Sequence, residues 1–385
     1  MKVGFICFHS FANPGGVKNH ILGLSKEFEK RGIETKIIIP RRKLRENYGN
    51  KVIIMGTSLP FNIGGTQGDF CMNLNPFKIH KILKKEKFDI LHFHNFVVPS
   101  AWQILDMQKK IKYPICNILT FHANLDGMPL FKSTPYFSKL FVKRLNKRMD
   151  GIIGVASLNL RFFRGYKKLT KVISNGIDLE RFNPNIRGYK RFDDGKINIL
   201  FIGRIEERKG LIYLLEAYKI LQERYKNLRL IVVGDGPLKK DCEKFALYGG
   251  LENVVFEGQK KDHTIVRYLN SAHIFCSPAI FGESFGIVLL EAMACQKPVC
   301  GFNNLGYKEL LKGTKGEGFL AEPRDSLKLA DILERLIINE DLRKEMGKWG
   351  LKTAKEYSWE KIADQVLEFY DECMLKKFDK KGKKH

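Results

Sequence analysis

The chain has 385 residues, too many for one ordinary core and suited to two domains. With 44% hydrophobic and 11% aromatic residues the composition is globular, which excludes wholesale disorder, and no apolar run reaches the roughly 18 to 20 residues a membrane-spanning helix needs. Residues 1–180 hold 30 Lys+Arg against 12 Asp+Glu, hence +18 of the formal +25, which points to a membrane surface, nucleic acid or an anionic substrate as partner unless the lysines serve only solubility.

Short β-rich runs alternate with helical stretches, the pattern of βα units on parallel sheets. The segment Lys2 to Phe8 reads as a first strand, not a signal peptide, so the chain is expected in the cytoplasm. Strand 1 leads into Asn13-Pro14-Gly15-Gly16-Val17, where Gly15 and Gly16 allow either plain turn chemistry or a close approach to a ligand. A helix follows, with Ile21, Leu22, Leu24 and Phe28 on its apolar face. Further strands are predicted at Thr35 to Ile39 and Lys51 to Met55. Asn75 and Pro76 then read as the cap and first residue of a basic amphipathic helix carrying Lys78, Lys81, Lys84 and Lys85 beside Phe77, Ile79, Ile82 and Leu83. It is suited either to an anionic bilayer or to inward packing of the apolar stripe.

Strand Asp89 to Phe93 places His92 and His94 on one face, but no third ligand lies nearby in sequence, so no metal site is predicted and sheet-end histidines are the expectation. His122 lies just past strand Ile115 to Thr120, where a sheet edge suits a substrate hydrogen bond. Tyr136 to Arg148 repeats the basic amphipathic theme, with Arg144 among its cations, and strand Gly151 to Val155 completes the first set. Residues 182–196, with Pro184, Gly188, Asp193, Asp194 and Gly195, read as a linker between domains at 1–181 and 197–357.

In the second half, strands are predicted at Ile197 to Ile202, Leu228 to Val233, Asn253 to Phe256, His273 to Ser277, Pro298 to Cys300 and Gly318 to Leu320. Arg204 and Lys209 follow the first of these at a strand's carboxyl end, where open α/β sheets bind ligands and where cations can stabilise a departing diphosphate. Phe281 to Glu291 is a glycine-bearing turn running into an apolar helix, so the N–H groups of Phe285, Gly286 and Ile287 are placed to bind a phosphate. Glu283 precedes that helix and can accept from sugar hydroxyls. Glu291, more than a turn inside it, is costly to bury alone and either meets ribose hydroxyls, caps a loop or pairs with a lysine. A final helix is predicted at 358–374, packing back on the N-terminal domain, followed by a disordered basic tail at 375–385. Eight scattered cysteines, with no CxxC, are expected to be reduced and mostly core filler.

Taken together, the chain resembles family 4 of the retaining GT-B glycosyltransferases over essentially its whole length. The matching pieces are Gly15-Gly16-Val17, Thr120-Phe121-His122, Ser174 to Asp178, Gly203-Arg204 with Arg208-Lys209-Gly210, Val233-Gly234-Asp235-Gly236-Pro237, and the E-x7-E pair Glu283 and Glu291. Within the family it is most similar to the phosphatidylinositol mannosyltransferase branch. The resemblance implies an α/β GT-B fold: two Rossmann-like domains with parallel sheets facing across a cleft. It also implies that Arg204 and Lys209 hold the diphosphate, Glu283 the donor sugar, Glu291 the ribose and His122 the sugar ring, while Asp262 falls where the branch contacts its base. The implied reaction is retaining hexosyl transfer, with mannose from GDP-mannose the leading donor and a UDP-sugar the alternative. It needs no metal or other cofactor, and no D-x-D triplet occurs. The implied partners are a nucleotide sugar and an anionic membrane surface or lipid acceptor at the inner face of the cell membrane.

Two departures bear on the acceptor. Asn95-Phe96 stands where the branch usually has an acid and proline, and His9 stands where it tends to have tyrosine. Other classes fit less well. No G-x-G-x-x-G opens a helix after a strand, against a nicotinamide enzyme, and no recognition-helix, RRM or zinc-finger pattern supports nucleic acid as a partner. A catalytically inactive GT-B binding module is opposed by the retention of Arg204, Lys209, Glu283 and Glu291.

Overall fold

The structure is a computed structural model, and it describes residues 1–11, 15–42, 46–63, 66–72, 75–95, 99–122 and 135–382. The chain divides into two compact units: residues 1–176 together with 359–385, and residues 177–358.

Unit 1 runs β1 (Lys2–Cys7), α1 (Gly16–Lys30), β2 (Glu34–Arg41), β3 (Val52–Ile63), β4 (Thr66–Met72), α2 (Pro76–Glu86), β5 (Ile90–His94), α3 (Pro99–Gln108), β6 (Cys116–Phe121), α4 (Pro135–Arg148), β7 (Gly151–Gly154), α5 (Ser157–Leu160) and β8 (Leu169–Val172). Its sheet has the order β4-β3-β2-β1-β5-β6-β7-β8, parallel except for the antiparallel edge hairpin β3–β4. Val3 to Cys7 is buried and apolar on both faces because helices cover both sides of a parallel sheet, and Ile90 to Phe93 is likewise buried throughout, with His92 its one polar side chain.

Unit 2 runs β9 (Ile197–Ile202), α6 (Leu211–Arg224), β10 (Leu228–Val233), α7 (Lys239–Tyr248), β11 (Val254–Gly258), α8 (Ile265–Ser271), β12 (Ile274–Ser277), α9 (Ile287–Ala294), β13 (Val299–Phe302), α10 (Leu305–Leu311), β14 (Leu320–Ala321), α11 (Ser326–Ile338) and α12 (Glu340–Lys355). Its six strands are all parallel, in the order β11-β10-β9-β12-β13-β14. The last helix, α13 (Trp359–Gly382), belongs to unit 1, where Ile362, Val366, Phe369, Tyr370 and Cys373 join the core of β1, β5 and β6.

Each sheet reverses direction once, between β1 and β5 in unit 1 and between β9 and β12 in unit 2. At such a reversal the loops leaving the two central strands diverge to opposite faces and open a crevice at the strands' carboxyl ends. In unit 2 Arg204 and Lys209 follow β9 and Glu283 follows β12, the two strands at the reversal, while in unit 1 His94 ends β5 and His122 follows β6.

Several expectations are corrected. Residues 182–196 are not a free linker; they pack as part of unit 2, anchored by buried Phe182 and Phe192, by Asn198 Nδ2 donating to Phe192 O at 2.7 Å, and by Tyr189 N donating to Ser271 Oγ at 2.7 Å. The crossings between units therefore fall at Gly176/Ile177 and Ser358/Trp359. Residues 375–382, expected as disordered tail, continue α13, where the Lys377 ammonium donates to Asp150 at 2.5 Å. Both basic segments do form helices, but their apolar residues turn mainly inward: Ile79, Leu83, Phe141 and Leu145 are buried, while Phe77 remains 78% exposed. All eight cysteines are buried and free. No helix among the described residues is long and apolar enough to cross a membrane.

Candidate active site

In unit 2 the crevice is walled by the loops after β9 and β12. The β9 loop passes through Gly203 and Arg204 to a single 3-10 turn, Glu207–Lys209, and Gly210 then starts α6 from a left-handed φ of 66°. A Cβ on Gly210 would lie 2.1 Å from Pro278 O, so the two loops touch there and only glycine fits. Across the sheet, a Cβ on Gly234 would lie 1.9 Å from Gly203 O. Gly234 thus keeps the β10 loop tight against the base of the site.

The charges form one network. Lys209 Nζ lies 2.6 Å and Arg208 Nη1 3.2 Å from Glu283 Oε1; Glu206 takes Arg208 Nε at 2.5 Å and Arg204 Nε at 3.4 Å. Lys209 and Glu283 are mostly enclosed, whereas the Arg204 side chain is 45% exposed. Three cations against two carboxylates leave a positive excess, and an entering diphosphate can replace carboxylate contacts with its own oxygens. Arg208, singled out in the sequence only as part of a motif, is thereby a member of the site.

Helix α9 begins beside this network. Its cap is Gly286, at φ 95°, and no side chain caps the helix, so the first-turn N–H groups of Ile287 and its neighbours lack a side-chain acceptor. Phe285 is buried against Tyr357, with ring centroids 5.5 Å apart, which fixes the approach to the helix. The Glu291 carboxyl group, one turn on, has no hydrogen-bond partner among the described residues. Burial lifts its carboxyl to about 7, opposed by the positive charges of Arg181 and Lys209 and reinforced by Asp262. The lysine or loop partner considered for it is not there, and its oxygens stay available to a ligand.

Asp262 is exposed and held by Arg181, whose Nη1 donates to its Oδ2 at 3.1 Å and whose Nη2 donates to its backbone carbonyl. A base that used this carboxylate would have to share it with Arg181, a residue the sequence reading missed.

In unit 1 the corresponding crevice is lined by histidines. His92 is satisfied on both sides: its Nδ1 lies 2.6 Å from Tyr370 Oη and its Nε2 2.6 Å from Thr120 Oγ1. His94 Nδ1 lies 3.0 Å from His122 Nε2, and the backbone N–H of His122 donates to Asn95 Oδ1 at 3.0 Å. His20, on the buried stripe of α1, brings its ring within 4.7 Å of the His122 ring. Burial lowers the pKa of His20 to about 4 and those of His94 and His122 well below the usual histidine range, with the neighbouring rings adding to the shift for His94 and His122, so the cluster is uncharged at neutral pH. The sequence offered no third ligand near His92 and His94; the fold supplies one by joining His20 and His122 to His94.

Gly15 caps α1, and a Cβ on Gly15 or Gly16 would meet nothing within 4 Å, so their closeness, if any, is to a ligand and not to the protein itself. Residues 12–14 and Phe96 lie outside the described residues. Lys78, Lys81, Lys84 and Lys85 are exposed along α2. Arg144 is half exposed; its guanidinium stacks 4.0 Å over Trp102 and lies 3.4 Å from Asp106, which it shares with Lys109 and Arg148.

The description "Glycosyl transferases group 1" fits residues 182–353, and "Glycosyltransferase Family 4" fits residues 14–181. A phosphatidyl-myo-inositol mannosyltransferase of Mycobacterium leprae is 30% identical, with 96% of each chain covered. The chain belongs to the family 4 glycosyltransferases. A second relative of this group, also described as a phosphatidyl-myo-inositol mannosyltransferase, comes from Propionibacterium freudenreichii and is 30% identical over 96% of this chain and 94% of its own. The fold of this glycosyltransferase is similar to that of Anabaena HepE in complex with UDP, with a TM-score of 0.76, 19% identity, and 97% of this chain and 100% of that one covered.

Proposed function

We propose that this glycosyltransferase moves a hexose, mannose from GDP-mannose being the leading candidate, to a lipid or lipid-linked acceptor such as phosphatidylinositol, with retention of anomeric configuration. The observation that carries the reading is the Arg204–Arg208–Lys209–Glu283 network at the uncapped start of α9. It matches the demands of a leaving diphosphate, whose charge grows as the glycosidic bond breaks. The full-length likeness to phosphatidyl-myo-inositol mannosyltransferases supports the choice of sugar and acceptor.

In the proposed reaction Lys209, Arg208 and Arg204 take the diphosphate oxygens with the N–H groups at the helix start, Glu283 is released to accept from the sugar's hydroxyls, and Glu291 accepts from the ribose. On unit 1, family resemblance gives His122 a contact with the sugar. The acceptor hydroxyl attacks from the face that the diphosphate leaves, and a phosphate oxygen receives its proton. The fixed cations do the electrostatic work, so no metal is required. The exposed lysines of α2 would attract anionic headgroups at the cytoplasmic membrane face.

One observation favours the alternative of a UDP-sugar. The Asp262 carboxylate that would accept from guanine N1 and N2 is held by Arg181. A donor screen decides between them: GDP-mannose and UDP-sugars are compared by thermal shift and hydrolysis, with Asp262→Ala alongside, in excess chelator. Stabilisation and turnover with GDP-mannose are expected. Preference for a UDP-sugar overturns the choice of donor, response to no nucleotide sugar overturns the enzymatic reading, and turnover lost in chelator but restored by Mg²⁺ overturns metal independence.

A further inference from the structure

The histidine cluster of unit 1 carries more than a hydrogen-bonding role. His20, His94 and His122 each present a ring nitrogen within 4.8 Å of those of the other two. They come from three different elements: α1, the end of β5, and the residue just after β6. His20 Nδ1 lies 2.8 Å from Asn175 Oδ1, an amide oxygen that can only accept, so Nδ1 bears the proton and Nε2 bears the lone pair. That Nε2 is buried and has no hydrogen-bond partner among the described residues, and the same holds for His94 Nε2. Simple packing accounts poorly for this, because it leaves two ring nitrogens desolvated and unmatched in a region where His92 is matched on both sides.

We propose that His20, His94 and His122 form a binding site for one divalent transition-metal ion of the Zn²⁺ or Co²⁺ kind, with solvent as the remaining ligand. An all-imidazole donor set selects such ions over Mg²⁺ and Ca²⁺, which prefer oxygen. Asn175 is the outer partner that fixes the His20 tautomer, the role that a carbonyl or carboxylate plays behind most metal-bound histidines. In the metal-bound state the proton of the His94–His122 hydrogen bond resides on Nδ1 of His122, the less buried ring, so His122 offers Nε2 beside His20 Nε2 and a ring nitrogen of His94, and all three rings remain neutral. Half-buried His122 gives the ion its route from solvent. Since His122 is also the proposed sugar contact, metal occupancy and that contact exclude each other. This consequence, unlike the site itself, rests on the transferase reading.

The test uses the full chain, stripped with chelator, dialysed and titrated with Co²⁺ while the visible d–d absorption is followed and metal is counted per chain. One Co²⁺ per chain, displaced by Zn²⁺, is expected. His20→Ala and His122→Ala should each weaken binding by about 100-fold or more, and Asn175→Ala by roughly 10- to 100-fold as for other outer partners. His263→Ala, at an exposed position of unit 2, should bind as the parent does. Circular dichroism and melting check that each variant is folded, and His122→Ala, at the least buried of the three positions, keeps the test valid if His20→Ala does not fold. No saturable one-to-one signal in the parent, or parent-like affinity in His122→Ala, overturns the site. Zn²⁺ at one equivalent should also suppress donor turnover, reversibly by chelator. Bound Co²⁺ with unchanged turnover overturns the exclusion and leaves the site established, whereas a metal-free chain that binds Co²⁺ one-to-one but turns over no donor before the metal is added overturns the transferase reading instead.

Discussion

Replacing Glu291 with glutamine separates stability from activity at one position. The parent carboxyl has its pKa raised from 4.5 to about 7, chiefly by burial. The folded state therefore keeps a proton that the unfolded chain has already lost between these values, and stability falls as pH rises through this window. A shift of this size corresponds to about 3 kcal/mol, absent below the unfolded pKa and fully felt above the folded one. Glutamine has nearly the same shape and no charge to desolvate. Glu291→Gln should therefore be more stable at pH 8 by about 3 kcal/mol, or roughly 6–12 °C in Tm for a unit of this size, with the gain shrinking to about 1 kcal/mol at pH 5. Activity should move the other way. Losing a charged acceptor for the ribose costs about 1.5–3 kcal/mol, or roughly 10- to 100-fold in kcat/KM. The assay is melting from pH 5 to 8, without nucleotide, beside donor kinetics at pH 8. A variant less stable than the parent at pH 8, or a stability difference that does not change with pH, refutes the burial argument.

Other expectations follow from the same geometry. Lys209→Ala removes a diphosphate cation and frees Glu283 from its 2.6 Å partner; kcat/KM for the nucleotide sugar should fall roughly 10- to 100-fold, and an unchanged value would place the diphosphate elsewhere. Gly234→Ala drives a Cβ against Gly203 O and should lower stability in urea unfolding by more than about 2 kcal/mol, with turnover falling because the β9 loop shifts. Tyr370→Phe deprives buried His92 of its 2.6 Å partner and should cost about 1–3 kcal/mol by the same measurement. Changing Lys78, Lys81, Lys84 and Lys85 together to glutamine should abolish any preference for anionic over neutral vesicles in co-sedimentation while leaving the melting temperature near that of the parent, since all four are exposed.

Strand positions were readable where burial is two-sided. Ile197 to Ile202 and Leu228 to Val233 are mostly apolar runs, each carrying one buried polar residue, Asn198 and Arg229, and both were placed to the residue. Thr66 to Met72 was missed because TQGDFCM, on an antiparallel edge, has neither a run nor an alternation. Leu169 to Val172 is too short to show a period. The 182–196 segment misled because its packing depends on two aromatic anchors and on hydrogen bonds to Asn198, Asn270 and Ser271, none visible in a count of apolar residues. Arg204 and Lys209 were legible from their place at a strand's carboxyl end, and Glu283 and Glu291 from the glycine turn and apolar helix that carry them, while their individual roles toward sugar and ribose rest on family resemblance. Arg181 and Arg208 belong with them only through distances that the fold creates. His20 did leave a trace: it lies four residues before Leu24 and eight before Phe28, on the stripe that α1 buries, where a polar ring asks for a partner.

The helix α13 has a consequence for synthesis. Unit 2 is a single uninterrupted stretch of chain, but the core of unit 1 takes Ile362, Val366, Phe369 and Tyr370 from a segment made only after all of unit 2. Domains fold as they emerge, at roughly 5–20 residues per second, so unit 2 can complete its core while unit 1, made first, still waits with one face of β1, β5 and β6 uncovered. Order of birth and order of completion are reversed. The histidine cluster, whose His20 ring meets Trp359, and the neighbouring His92, which meets Tyr370, are then closed only after unit 2 has been made.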